Sequence, residues 1–81
     1  MTFKYLEHRF LCELRERVRS GVVTERGLAR LAGVSQPHVH NVLKGKRFFS
    51  LEKADQVLRS LGLDLLDFID PDEWNQRNRH R

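Results

Sequence analysis

The sequence predicts an all-α fold, a compact bundle of about five short helices. Apolar residues recur at three- and four-residue spacings along most of the chain. Gly21, Gly33, Gly45 and Gly62 fall just past those periodic stretches, where helices stop, and no stretch reads as a strand.

The first helix spans residues 3–19, where Phe3, Leu6, Phe10, Leu14 and Val18 form an apolar stripe flanked by Leu11 and Cys12. Thr24 caps the second, and Glu25 adds negative charge where the helix dipole favours it. Leu28, Leu31 and Ala32 share one face there, and Ala29 is small enough to let a neighbouring helix approach. Gly33 ends that helix and Val34 plugs the turn into the core. Ser35 caps the third, in which Pro37 is tolerated because a first-turn N–H has no helical partner. Val39, Val42 and Leu43 cluster on its inner side, while Pro37, Asn41 and Lys44 lie opposite. His40 falls between that outer face and the core edge, Gln36 sits in the exposed first turn, and His38 lies on the far flank. Ser50 caps a fourth helix with Leu51, Ala54, Val57, Leu58 and Leu61 as its apolar face. Asp64 caps a short fifth, Leu65–Ile69.

Eighty-one residues divide into a domain over residues 1–70 and a polar, basic tail over 71–81. Such a domain buries only a modest core. Within the tail Asp70, Pro71 and Glu73 make a local helix start, yet the residues after it are poor helix formers. Three readings stay open for the tail: a mobile end, Trp74 docked on the body or on a second subunit, or an arm that brings Arg77, Arg79 and Arg81 to phosphates.

Charge is unevenly spread. Residues 1–50 carry ten Lys/Arg against four Asp/Glu, a net of +6, whereas residues 51–76 carry two against seven, a net of −5. Such asymmetry predicts a basic side for a polyanion and an acidic side turned away from it. No apolar run reaches the roughly 18 residues of a membrane span, and no signal-peptide pattern opens the chain. The single Cys12 fits a reducing cytoplasm.

Two short helices hinged at Gly33, with a basic loop after the second, form the layout of a helix-turn-helix. The outer face of its second helix is polar and free of acidic residues, and Lys44, Lys46 and Arg47 flank it; an ordinary helical hairpin does not explain that pattern. Gln36 and Asn41 carry amides able to pair with adenine, and Pro37 can lie against a thymine methyl. Capping of its own first turn is the other reading of Gln36, and simple exposure that of His40. The face carries no arginine, the commonest reader of guanine, so it points more firmly to DNA than to one DNA sequence.

The run Gly27-Leu28-Ala29-Arg30-Leu31-Ala32-Gly33-Val34-Ser35, then Val39, Asn41-Val42-Leu43-Lys44-Gly45-Lys46, and Ser50-Leu51 resembles the phage-repressor/Cro-like (Xre-type) helix-turn-helix family. The similarity continues through Leu58, Leu61-Gly62-Leu63 and Leu65 and covers roughly residues 22–69. It implies a lambda-repressor-like DNA-binding domain acting as a small transcriptional regulator, a repressor, in the cytoplasm of a bacterial or phage-encoded system and on the nucleoid when bound. Gln36, Pro37, His40 and Asn41 match base-facing positions. Thr24, Arg26, Ser35, Lys44, Lys46 and Arg47 are the phosphate-contact candidates, with Arg26 and also Arg30 the weaker ones.

The expected partner is double-stranded DNA, bound by a homodimer through surplus apolar surface on Leu65, Leu66, Phe68, Ile69 and Trp74. The alternative is a protein-interaction module, an antitoxin or adaptor on the same fold, using the acidic face or the Trp74 tail. No catalytic motif, phosphate loop or cofactor signature is present, so no enzyme and no cofactor are expected. His8 and Cys12 stand four apart on one helix but lack a matching second pair, so no metal site is expected.

Overall fold

Four α-helices and one 3₁₀ turn make up residues 2–68, the part of the chain that the computed structural model describes. The order is α1 (Phe3–Arg19), α2 (Glu25–Ala32), α3 (Gln36–Leu43), α4 (Leu51–Ser60) and the turn Leu65–Phe68. No strand occurs among the described residues.

Every α-helix starts on a hydroxyl. Thr2 accepts from the Tyr5 N–H at 3.1 Å, Thr24 from Gly27 at 2.9 Å, and Ser35 and Ser50 from His38 and Lys53 at 3.3 Å. Each such cap satisfies one of the donors a helix start leaves open and contributes about 1 kcal/mol. At the other end of α2, Gly33 takes the left-handed conformation (φ +69°), and the N–H groups of Gly33 and Val34 both donate to the Ala29 carbonyl. Gly45 (φ +78°) closes α3 in the same way, its N–H on Val42 and that of Lys46 on Asn41.

The core joins Leu14, Leu28, Ala29, Ala32, Val39 and Val57, with Phe10, Val18, Leu31, Val34, Leu43 and Phe49 packed around it. α2 is the central element and touches both α3 and α4. Its buried Ala29 and Ala32 keep the separations short. α1 lies against α3 and the 3₁₀ turn.

Side chains from the scaffold complete the helix C-termini. Arg15 of α1 donates from Nε to the Leu43 carbonyl at 2.6 Å, at the end of α3. Lys53 and Gln56 of α4 donate to the carbonyls of Ala32 (3.2 Å) and Leu31 (2.8 Å), at the end of α2. These carbonyls have no intrahelical partner, and a cation beside them also meets the negative end of the helix dipole.

Four expectations need correction. The fifth helix is a single 3₁₀ turn. Asp64 Oδ1 accepts from the Leu66 N–H and Asp67 Oδ2 from the Asp64 N–H, so the local hydrogen bonds close within one turn. Only Phe68 of its four residues is buried, so no apolar face extends the turn into a helix. Phe68 itself, expected at a subunit interface, is 3% exposed and meets the Phe10 ring edge-on at 6.1 Å between centroids. The Phe3 end of the first-helix stripe is unburied (64% exposed). α1 runs 17 residues, about 25 Å, against helices of 8 to 10 residues, so its first turn overhangs the body. Leu51, expected on the inner face of α4, is exposed, as is Cys12 beside the apolar stripe of α1. Ile69, Trp74 and the whole tail lie outside the described residues.

Candidate nucleic-acid interface

The sequence of α3 sorts its residues into two faces. Val39 and Val42 are buried against the core, while Gln36, Pro37 and His40 are exposed and Asn41 is half-buried. The N-terminal end of α2 borders the same side, so that Glu25, Gln36, Pro37, His40 and Asn41 line one shallow concavity of about 330 Å³. All four expected base-facing residues therefore meet in one place.

A carboxylate stands among them. The two Glu25 oxygens lie 3.3 and 3.4 Å from His40 Nδ1. The outer side of α3 is thus not free of acid, because a residue fifteen positions upstream supplies one. Helical-wheel reasoning treats one helix at a time and has no means of finding it. No hydrogen bond within the described residues engages the Gln36 side chain, since the Ser35 hydroxyl takes the capping role. Of the two readings of Gln36, capping is therefore the one the structure does not bear out.

His38, assigned to the far flank, is half-buried and stacks on Phe49 with rings 8° from parallel and 6.0 Å between centroids. Its Nε2 is buried without a hydrogen-bond partner among the described residues. The stack fixes the loop after α3 against α3 itself, a link between residues eleven apart that helical periodicity does not reveal.

The basic residues divide by role. Arg17, Arg19 and Arg59 pair with carboxylates on their own helices, Glu13, Glu16 and Asp55. Arg15 and Lys53 are engaged at helix ends. Among the described residues no ion pair engages Arg26, Arg30, Lys44, Lys46 or Arg47, and all five are exposed. Thr24 and Ser35 use their hydroxyl oxygens as caps, which leaves each O–H able to donate outward.

A second hollow lies on another side. Phe10, Leu11, Leu14, Val42, Phe48 and Leu51 line an apolar groove of about 320 Å³ between α1 and the segment that joins α3 to α4. Lys4, Glu7, His8 and Arg47 stand at its edges. His8 and Cys12 do approach, with 3.6 Å between Nε2 and Sγ, but no group of three or more His, Cys, Asp or Glu could hold a metal among the described residues. No helix there is long and apolar enough to cross a membrane.

Compared with protein-family models, with curated proteins and with solved structures, the chain matches none.

Proposed function

We propose that the chain is a sequence-specific binder of double-stranded DNA, a small transcriptional regulator acting as a repressor, with α2 and α3 as its helix-turn-helix. One observation carries the reading. Gln36, Pro37, His40 and Asn41 converge on one concave face, and the adjoining stretches of chain carry the exposed cations Arg26, Lys44 and Lys46, for which the described residues show no ion pair. Backbone phosphates attract such cations whatever the sequence, and polar side chains on a helix face of this width reach base edges in a major groove. α3 enters the groove, while Thr24, Arg26, Ser35, Lys44, Lys46 and Arg47 meet the phosphates on either side. A single module of this size buries limited area, so specificity calls for two copies on half-sites about one helical turn apart. Exposed Leu65 and Leu66 are the described residues that fit a contact between copies.

Selection of bound duplexes from a random pool tests this. Asn41→Ala changes which sequences are enriched; Lys46→Ala weakens all of them about equally and lowers the salt slope by about one. An enriched motif identical for wild type and Asn41→Ala would refute the assignment of α3 to the bases.

A second reading, the protein-interaction module, is favoured by the apolar groove at Phe48 and Leu51. Its edge carries Lys4, His8 and Arg47 against Glu7, which suits an amphipathic helix with acidic flanks. Absence of duplex binding even at low salt, with saturable binding of such a helix, would favour this reading. Loss of that helix on Leu51→Asp would locate it.

A further inference from the structure

The Glu25–His40 contact has a consequence for base readout. A carboxylate only accepts hydrogen bonds, so the His40 Nδ1 that faces both Glu25 oxygens carries the proton. In a neutral imidazole the other nitrogen, Nε2, is then a bare acceptor. That nitrogen makes no hydrogen bond within the described residues, and the side chain remains 49% exposed at the concavity shared with Gln36, Pro37 and Asn41. Glu25 is the only charged or titratable neighbour of His40 in that concavity, and it reaches it from α2, the element packed most closely on α3.

We propose that Glu25 is a specificity-determining residue, which acts by holding His40 in the tautomer that presents an acceptor to the base edge. This rests on the reading of α3 as a recognition helix. An acceptor selects a base with a major-groove donor, adenine through N6 or cytosine through N4, and disfavours guanine and thymine, which offer acceptors at the same depth. His40 touches the base; Glu25 is a positioning residue behind it. The pairing also compensates for a carboxylate on a surface that faces phosphates, because the imidazole N–H shields it from them.

The test is pool selection with wild type, His40→Ala, Glu25→Ala and Glu25→Lys, with circular dichroism confirming that each remains helical. His40→Ala flattens one position of the enriched motif. Glu25→Ala flattens the same position, reducing its discrimination by about tenfold, the worth of one good base contact. Combining both substitutions changes that position no further. Glu25→Lys reverses the preference toward guanine or thymine, because an ammonium only donates and leaves the proton on Nε2. Should the lysine variant lose its helicity, Glu25→Gln takes its place: an amide that accepts or donates relaxes the preference without reversing it. A merely structural Glu25 at the start of α2 would lower stability and all affinities alike, with the motif unchanged. That outcome overturns the inference and leaves the DNA-binding reading standing. A wild-type protein that enriches no sequence overturns both.

Discussion

Replacing Phe68 by alanine removes the ring through which the 3₁₀ turn holds α1. The ring is 3% exposed and edge-on to Phe10. Burial of a phenylalanine contributes about 1.5–3 kcal/mol, and an edge-to-face partner about 0.5–1.5 kcal/mol more. The expected loss is therefore about 2–4.5 kcal/mol. A chain of 81 residues has roughly 4–12 kcal/mol to lose, so the substitution removes a large share of its stability. With a urea dependence of about 1 kcal/mol per molar for a domain this small, the unfolding midpoint falls by about 2 M or more. Urea titration followed by circular dichroism, at two protein concentrations an order of magnitude apart, measures it. A core ring gives the same loss at both. An unchanged midpoint, or a loss that appears only at the higher concentration, would place Phe68 at a contact between copies and refute the packing argument.

Two further substitutions test how the helix ends are built. Gly33→Ala makes only an ordinary van der Waals contact, with Lys53 Nζ at 3.8 Å, so its cost is backbone strain at φ +69°: about 1–2 kcal/mol, read as a lower thermal midpoint. Arg15→Met keeps the aliphatic stem but loses the bond to the Leu43 carbonyl, for a loss of about 0.5–1 kcal/mol at this exposed position. A wild-type midpoint for Gly33→Ala, or a stabilised Arg15→Met, contradicts these accounts.

What the sequence made legible was local. Thr24, Ser35 and Ser50 are visible as caps because a hydroxyl before a periodic run has few other uses, and each accepts from the third residue on. The inner face of α3 is legible because Val39 and Val42 recur at helical spacing. What stayed hidden depends on which elements meet. Leu51 has the right spacing for burial, but no neighbour covers it; Phe3 has the right spacing, but α1 outruns its partners. Phe68 looked like surplus surface because the short stretch around it gave no sign of its partner Phe10, 58 positions earlier. Arg15, Lys53 and Gln56 read as ordinary solvent residues until the fold brings them to carbonyls 21 to 28 positions away. Glu25 was legible as a helix-start residue and not as the neighbour of His40.

Those hidden contacts divide the labour across the molecule. The N-termini of α2 and α3 are closed by the hydroxyls that precede them, whereas their C-termini, after the local glycine closures, are completed by side chains of α4 and α1. The scaffold therefore grips α2 at the end away from the concavity, where Glu25 lies in the first turn and Ala32 in the last, and grips α3 just beyond His40 and Asn41, which line the concavity from its last turn. A helix held at one end by core packing and a charged hydrogen bond keeps its orientation without committing any side chain on its outer face. The fixed end also consumes the cations nearest to it, Arg15 and Lys53, and the flanks of α1 and α4 consume Arg17, Arg19 and Arg59. Among the described residues, Arg26 and Arg30 on α2, Lys44 at the end of α3, and Lys46 and Arg47 in the loop beyond it are left without a carboxylate, as are Lys4 and Arg9 on α1. A basic composition alone would attract a polyanion to any side of the chain. What distinguishes the α3 side is its polar concavity, and Glu25, the acid that lines it, is a residue whose replacement is expected to alter readout more than attraction.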